Sequence, residues 1–261
     1  MNKMMPQNLL SNIAKAGIRR LSLDSRSRVA RHCLSIGSVL ELVKRNGLEP
    51  SAIIDIGACT GEWSLLACQL WPQVPVFMID GSPENEKALA DTARQLGSLA
   101  EHQICLLGPE HRDSVQLFQL GAGTSVLREL SGFQPKTIEV PMERLDHLLA
   151  GKSLGHQVLI KIDVQGYELE VLKGAGDILH QAEVIILETT LIPYNDRAPL
   201  FAEVVRFMDE AGYVAYDFCG GSRRTDLALF QIDVFFVRRD SKLRSKQRFH
   251  KNEPAGSVPV E

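Results

Sequence analysis

The chain has 261 residues, of which 44% are hydrophobic and 23% are charged, and its formal net charge is -3. A chain of this size and composition can bury a sizeable core as one large domain. The weak negative charge gives no attraction to nucleic acid, and no apolar run reaches the roughly 20 residues that a membrane-spanning helix needs. We therefore expect that the protein neither binds nucleic acid nor inserts into a membrane.

Two helices are predicted ahead of the main domain, over residues 8–20 and 26–45. The second has apolar residues on one face, with which it can cover a core. We therefore expect residues 1–48 to form an N-terminal helical segment packed on the core. Residues 1–20 lack the continuous apolar stretch of a secretion signal, which predicts a cytoplasmic protein.

Residues 52–61 run from an apolar strand through a glycine turn into an apolar-periodic helix, a unit typical of nucleotide-binding sites. Gly57 and Gly61 would let the backbone approach a ligand closely, and the start of the helix offers free N–H groups to an anion. A second apolar strand leads to Asp80, whose carboxylate could accept hydrogen bonds from both hydroxyls of a ribose. The two units together predict half of a cofactor site.

The glycine spacing argues against a dinucleotide. A dinucleotide fingerprint has the pattern G-x-G-x-x-G, in which the second glycine admits the pyrophosphate. In this chain Cys59 lies between Gly57 and Gly61, where that second glycine would be needed. A nicotinamide-dependent dehydrogenase is therefore the weaker interpretation.

Strand and helix signals alternate along the chain, which predicts an α/β fold with a doubly wound sheet. The predicted strands are residues 52–56, 75–79, 103–107, 115–119, 137–140, 158–163, 184–188, 213–218 and 230–237. Residues 241–261 are basic, contain prolines and show no periodicity, so we predict a mobile tail there. Residues 49–240 remain as the main domain.

The strand at residues 158–163 carries Lys161 and Asp163 on one face and apolar side chains on the other. A strand buried on both faces should not carry ionisable groups without partners. Asp163 therefore either faces a ligand or forms a structural ion pair, and it is the main candidate for catalysis. Glu188 has the same position at the end of the next strand, where it could orient or deprotonate a substrate.

Cysteine and histidine show no disulfide or metal pattern. The five cysteines are odd in number and scattered, and none forms a C-x-x-C pair. The seven histidines lack the close spacing that brings two ligands onto one helix face. We therefore predict no metal site.

Residues 158–175, with the sequence VLIKIDVQGYELEVLKGA, resemble the most recognisable block of the FkbM-type methyltransferase family. Shorter pieces similar to the family occur in the expected order at residues 61–65, 82–85, 140–146 and 184–188. The glycine turn followed by an acid on the next strand also resembles the cofactor motifs of S-adenosylmethionine-dependent methyltransferases. The resemblance covers roughly residues 50–240. It departs from the family at Asp80-Gly81, where the family usually has a glutamate followed by a proline.

The resemblance implies a Rossmann-like class I methyltransferase fold, with a mostly parallel sheet and a final strand at residues 231–237 antiparallel to its predecessor. It implies S-adenosylmethionine as the cofactor and methyl transfer to a hydroxyl of a sugar, glycan, glycolipid or secondary metabolite. Asp163 and Glu188 would act in catalysis. The residues expected to bind the cofactor are Asp55, Gly57, Ala58, Gly61, Asp80, Gly81 and Asp163.

Two alternatives remain open. A methyltransferase acting on nitrogen needs much the same scaffold, and a catalytically inactive subunit could keep the fold. The joint presence of Gly57, Gly61, Asp80 and Asp163 argues against the inactive subunit, because a decayed site has no need for all four. Loops at residues 121–125, 189–196 and 220–226 are expected to select the acceptor.

Overall fold

A computed structural model of the protein describes residues 34–130, 132 and 134–245. The predicted helix at residues 8–20 lies outside this range, as do residues 26–33 of the second predicted helix and residues 246–261 of the predicted tail. The first described helix, α1, spans Ile36–Arg45 within the predicted 26–45 segment. Its N-cap residue, Ser35, accepts a hydrogen bond from the backbone N–H of Ser38, which satisfies one of the free donors at the helix start.

Strands and helices alternate along the described part of the chain, as predicted. The strands are β1 (Ala52–Ile56), β2 (Val76–Asp80), β3 (Ala100–Ile104), β4 (Leu106–Leu107), β5 (Arg112–Gln119), β6 (Lys136–Glu143), β7 (Val158–Ile162), β8 (Ala182–Thr190), β9 (Tyr213–Arg223) and β10 (Leu229–Arg238). After α1, the helices are α2 (Glu62–Leu70), α3 (Glu86–Leu96), α4 (Leu145–Leu148), α5 (Glu168–Lys173), α6 (Asp177–Gln181) and α7 (Phe201–Glu210).

Seven strands form the main sheet in the order β3-β2-β1-β7-β8-β10-β9. β1 pairs in parallel with both β2 and β7, so the strand order reverses direction at β1. β10 is antiparallel to both of its neighbours, β8 and β9, which confirms the predicted final antiparallel strand. In open α/β sheets the ligand site lies beyond the carboxyl ends of the strands at such a reversal.

The central strands are buried on both faces, which explains their nearly continuous apolar sequences. Ile54 and Ile160 belong to the core on one face of the sheet. Their neighbours in sequence, Ile53 and Leu159, belong to the core on the opposite face. This alternation fixes the face on which every charged residue of these strands lies.

A second, three-stranded sheet has the order β4-β6-β5. Its apolar side chains, including Leu106, Leu117 and Met142, form a separate small core. The sequence predicts strands here, but the predicted strand at residues 103–107 covers the end of β3 and all of β4, which belong to different sheets. Hydrophobic periodicity cannot predict this division, because it does not show with which strand a segment pairs.

Residues 241–245, at the start of the predicted tail, are folded against the domain. They include a short 3₁₀ helix, Lys242–Arg244, in which Leu243 is buried. Ser241 donates a hydrogen bond to Glu183 at the start of β8. None of the helices within the described residues is long and apolar enough to cross a bilayer.

Candidate functional site

A cavity of about 400 Å³ lies at the carboxyl ends of the central strands. Ile56, Asp80, Asp163 and Glu188 contribute to its wall from or just beyond β1, β2, β7 and β8. The predicted loop at residues 121–125 and the small sheet close another side. This volume is within the range of sites that bind a cofactor or a drug-sized molecule.

Gly57 lines the cavity and has a φ of +75°, which favours glycine. A Cβ atom at this position would lie 1.8 Å from the backbone oxygen of Asp163. The protein's own backbone, and not the space of a ligand, therefore requires glycine at position 57. The backbone N–H of Asp163 donates to the carbonyl of Ile56 (2.9 Å), so the two chain segments are joined where the cavity begins.

Ala58 and Gly61 do not belong to the wall of the cavity. Ala58 is buried in the core, and Gly61 has a φ of +79° at the N-cap of α2. A Cβ atom at position 61 would lie 2.6 Å from Cγ2 of Thr92. The sequence analysis expected the backbone at Gly61 to approach a ligand closely. In the structure it is helix α3 that the backbone approaches there.

Asp55 is fully buried and does not reach the cavity. Its Oδ2 atom accepts a hydrogen bond from the hydroxyl of Ser64 in α2 (2.7 Å). Burial is the main reason that the pKa of Asp55 is raised, and the nearby Lys161 acts against it. Asp55 is paired with Lys161 across β1 and β7, so the two side chains lie on the same face of the sheet. Neither side chain lines the cavity.

Asp80 lines the cavity and organises the loops around it. Its Oδ2 atom accepts the backbone N–H of Cys59 (2.8 Å). Its Oδ1 atom accepts the backbone N–H of Ser82 (2.8 Å) and the side-chain amide of Asn85 (2.9 Å). The adjacent Gly81 also contributes to the wall. The carboxylate therefore joins the glycine turn after β1 to the loop after β2.

Lys161 and Asp163 form the ion pair that the strand pattern predicts, with 2.9 Å between Nζ and Oδ2. The side chain of Lys161 is 10% exposed and that of Asp163 is 28% exposed, so only the acid reaches the cavity. Burial lowers the pKa of Lys161, but the carboxylates of Asp163 and Asp55 outweigh burial and the net pKa is raised. Lys161 is therefore a permanent cation beneath the cavity.

Gln165 connects the two acids that the sequence selected as catalytic candidates. Its Nε2 atom donates to Oδ1 of Asp163 (3.0 Å) and to Oε2 of Glu188 (2.7 Å). The backbone of Gln165 has a φ of +56°, a conformation that is uncommon outside glycine and concentrates at functional sites. Side chains of Asn195 and Ser125 donate to its carbonyl, at 2.6 and 3.0 Å, and hold it there.

Glu188 accepts a second hydrogen bond at Oε2, from Nε2 of Gln231 (2.8 Å). Burial and then the negative charge of Asp163 raise the pKa of Glu188 to about 9. The raised pKa favours the protonated form of Glu188, which can donate a hydrogen bond. Asp163 and Glu188 form one end of the cavity, with Gln165 between them.

Glu168 supports the loop between these acids and helix α5. Its Oε1 atom accepts the backbone N–H groups of Val164 (3.2 Å) and Gly166 (2.9 Å). Burial raises the pKa of Glu168 to about 7, and the hydrogen bonds from the loop act against burial. The side chain is buried outside the cavity wall, which indicates a structural role.

The sequence analysis did not select Gln165, Gln231 or Phe230, and it included Tyr194 only as part of the loop at residues 189–196, but all four line the cavity. The Tyr194 and Phe230 rings make an edge contact, with 4.8 Å between their centroids. Only Gln165 had a signal in the sequence, because a polar residue before a glycine at a strand end is suited to a left-handed turn. The other three become neighbours only through the antiparallel insertion of β10.

The described residues contain no group of three or more histidine, cysteine, aspartate or glutamate side chains arranged to hold a metal ion. The cavity instead combines three chemical environments. Asp80 and Asn85 provide hydrogen-bonding groups near β2, Leu106 and Leu117 provide apolar surface, and Asp163 and Glu188 provide acids near β8.

Comparison with protein families and known structures adds independent information. The family model described as the methyltransferase FkbM domain matches residues 55–215, more than half of the chain. A comparison with curated proteins found no match.

Several solved structures resemble the fold at low identity. The precorrin-6y C5,15-methyltransferase from Geobacter metallireducens is 15% identical over 78% of this chain and 87% of its own, with a TM-score of 0.43. The magnesium protoporphyrin IX methyltransferase from Synechocystis, solved with bound S-adenosylmethionine, is 15% identical over 77% and 76%, with a TM-score of 0.44. The 1,6-didemethyltoxoflavin-N1-methyltransferase from Burkholderia thailandensis is 11% identical over 77% and 76%, also at 0.44.

Proposed function

Because this chain belongs to the FkbM family of S-adenosylmethionine-dependent methyltransferases, we propose that it transfers a methyl group to a hydroxyl of a sugar, glycan, glycolipid or secondary metabolite in the cavity described above. The observation that supports this most strongly is the arrangement of its acids. Asp80 is the last residue of β2, Asp163 directly follows β7, and Glu188 lies near the end of β8. β2 and β8 are three strand positions apart, or about 14 Å, which suits an elongated cofactor between them.

The residues present fit the cofactor. Asp80 uses Oδ2 for one backbone N–H, and a carboxylate oxygen has two lone pairs, so it can also accept a ribose hydroxyl. The apolar surfaces of Leu106 and Leu117 suit an adenine ring, and Gly81 contributes to the same wall. Gly57 and Asp163 would border the methionine part. We do not assign a cofactor contact to Asp55, Ala58 or Gly61.

When bound, S-adenosylmethionine supplies a methyl group on a positively charged sulfur. The protein must then mainly hold an acceptor oxygen in line with that methyl group. We assign this role to Asp163, whose carboxylate can accept the hydrogen of the acceptor hydroxyl and take the proton as the oxygen is methylated. Lys161 keeps the carboxylate in place through its ion pair.

Glu188 has a different role in this proposal. Both hydrogen bonds from glutamine side chains fall on Oε2. The raised pKa favours a protonated carboxyl group, which can donate a hydrogen bond to a second oxygen of the acceptor. Glu188 would therefore orient the acceptor while Asp163 aligns the reacting hydroxyl.

Cofactor binding can be tested before the acceptor is identified. At 100 times its dissociation constant, S-adenosylhomocysteine should raise the free energy of unfolding by about 2.7 kcal/mol, and NADH should have no effect. Asp80→Asn should weaken S-adenosylhomocysteine binding by about 1.5–3 kcal/mol, the range for a hydrogen bond to a charged group. Asp91→Asn, which removes a partly exposed carboxylate of α3, is the matched control and should bind normally. Stabilisation by NADH alone would contradict the proposal.

The reaction itself can be tested with a labelled methyl donor and fractionated cell extracts. Transfer of label to an oxygen supports the proposal, and the position of the methyl group in the product distinguishes an oxygen from a nitrogen acceptor. Cofactor binding without transfer to any fraction would favour the inactive subunit.

A further inference from the structure

Beyond the reaction cavity, a second and more open groove of about 440 Å³ lies on the surface of the domain. Its lining is mostly apolar and consists of Leu130, Ile192, Pro193, Tyr194, Arg224 and Phe230. Tyr194 and Phe230 also line the reaction cavity, so one pair of aromatic rings separates the two spaces. The groove therefore adjoins the cavity at that wall.

The groove begins at the acid end of the cavity. Phe230 directly precedes Gln231, which donates a hydrogen bond to Glu188 (2.8 Å). Phe230 also accepts the backbone N–H of Leu191 (2.9 Å), at the end of the strand that carries Glu188. The Tyr194–Phe230 pair therefore lies between the groove and the acid end of the cavity.

The polar groups at this wall are turned to other partners. The Tyr194 hydroxyl is hydrogen-bonded to Glu129, and burial together with this carboxylate raises the pKa of Tyr194 to about 12. The guanidinium of Arg224 is paired with Asp226, with 2.5 Å between Nη2 and Oδ2. The wall therefore presents aromatic rings to a ligand. Arg224, the cation of the groove, already has Asp226 as its counter-ion.

Exposed apolar side chains are concentrated around the groove. Among the described residues, five large hydrophobic side chains are exposed, and three of them lie on or beside the groove. Leu130 lines it at 57% exposure, Leu191 precedes the groove residue Ile192, and Leu227 donates its backbone N–H to the carbonyl of Arg224. Such a cluster next to a reaction site indicates an apolar ligand surface.

The size of the reaction cavity supports the same conclusion. At about 400 Å³ it is near the lower end of the range for one drug-sized ligand. A cofactor that extends from Asp80 toward Asp163 would fill most of it, so the larger part of an acceptor must lie outside. The adjoining surface is the apolar groove.

We propose that the acceptor is an amphiphile whose hydroxyl-bearing part enters the reaction cavity over Tyr194 and Phe230 while its apolar arm lies in the groove beside Leu130. This inference rests on the proposed function and narrows its substrate class. Among the acceptors considered above, it selects glycolipids and secondary metabolites with an extended apolar part over free sugars.

The test uses the full-length protein saturated with S-adenosylhomocysteine and two probes, n-octyl β-D-glucopyranoside below its micelle concentration and methyl β-D-glucopyranoside. Calorimetry should show at least about tenfold tighter binding of the octyl compound, because only its chain can bury apolar surface in the groove. Leu130→Glu should remove most of this difference. Leu99→Glu, at a site that is 41% exposed and outside the groove, is the control and should keep it.

Equal affinity for the two probes, or an unchanged preference in Leu130→Glu, would overturn the proposal. So would sedimentation data in which Leu130→Glu dissociates a dimer or releases the protein from phospholipid vesicles, because the groove would then be covered by a second copy or by a membrane. Failure of S-adenosylhomocysteine to bind in the first step would instead contradict the proposed function. The two failures are therefore distinguishable.

Discussion

Gln165 donates a hydrogen bond to Glu188, with 2.7 Å between Nε2 and Oε2, from a backbone in the left-handed conformation. The same nitrogen donates to Asp163 at 3.0 Å. One amide group therefore fixes the separation of the two acids assigned to the acceptor. The arrangement makes Gln165 a positioning residue, because it acts on the acceptor through Asp163 and Glu188.

Gln165→Ala should lower the rate of methyl transfer at saturating cofactor by about tenfold or more. A hydrogen bond to a charged group contributes about 1.5–3 kcal/mol, and the alanine variant leaves both acids without this donor. S-adenosylhomocysteine affinity should change by less than about threefold. Gln103→Ala, on the exposed side of β3, is the control. An equal loss of cofactor affinity and rate would assign Gln165 to the scaffold.

Asp163→Asn should reduce single-turnover methyl transfer by about 10²- to 10⁴-fold, the usual range for general acid–base assistance. Glu188→Gln should cost much less, since an amide still donates a hydrogen bond to the acceptor. The comparison requires saturating cofactor, so that lost affinity is not mistaken for lost chemistry. The reverse order of effects would exchange the roles that we assign to the two acids.

Glu188→Gln should change how stability depends on pH. The pKa of Glu188 is raised from 4.5 to about 9 in the folded protein, so the folded state holds this proton more tightly than the unfolded state. The resulting stabilisation is fully present below about pH 4.5 and is lost as the pH rises toward 9. Glutamine does not ionise, so the Glu188→Gln variant does not lose this stability as the pH rises.

Denaturant unfolding should be measured for both proteins between about pH 5 and pH 9. Over this range the free energy of unfolding of Glu188→Gln should rise by more than about 1 kcal/mol relative to that of the wild type. A pKa shift of less than about one unit is enough for this difference. Glu168 and Asp233 also have raised pKa values, but they are present in both proteins. Glu41→Gln on the exposed face of α1 is the control. Parallel stability curves would mean that Glu188 is not held protonated by its surroundings.

Gly57→Ala should destabilise the fold far more than Gly97→Ala. Both glycines have positive φ, at +75° and +88°, so both variants carry the conformational cost of about 1–3 kcal/mol. A Cβ atom at position 97 meets nothing within 4 Å, whereas one at position 57 meets the carbonyl of Asp163 at 1.8 Å. Chemical denaturation that gives the same loss for both variants would show that this contact is easily relieved.

The sequence predicted the main sheet well because buried parallel strands are nearly continuous apolar runs. β1, β2 and β7 are found within a residue or two of their predicted bounds. The small sheet could not be predicted as a unit, because β4 has two residues and pairs with β6 from a distant part of the chain. The order of β9 and β10 came from the family resemblance, since periodicity does not specify pairing.

The candidate site was predicted in part, for a similar physical reason. Residues at or near a strand end, such as Asp80, Asp163 and Glu188, could be identified because the ends of parallel strands meet at one edge of the sheet. Asp55 does not line the cavity, since it is buried one residue before the end of β1, where it accepts a hydrogen bond from Ser64. Gln231 belongs to β10, which is distant in sequence from β8 and lies between β8 and the edge strand β9, so no local pattern could link it to Glu188.

The most direct measurement of the central claim is a crystal structure of the protein with S-adenosylhomocysteine. We predict that the ribose hydroxyls contact the carboxylate of Asp80, that the base lies against Leu106, and that the sulfur faces the end of the cavity formed by Asp163 and Glu188. A ligand bound outside this cavity, or one whose sulfur faces away from both acids, would contradict the account.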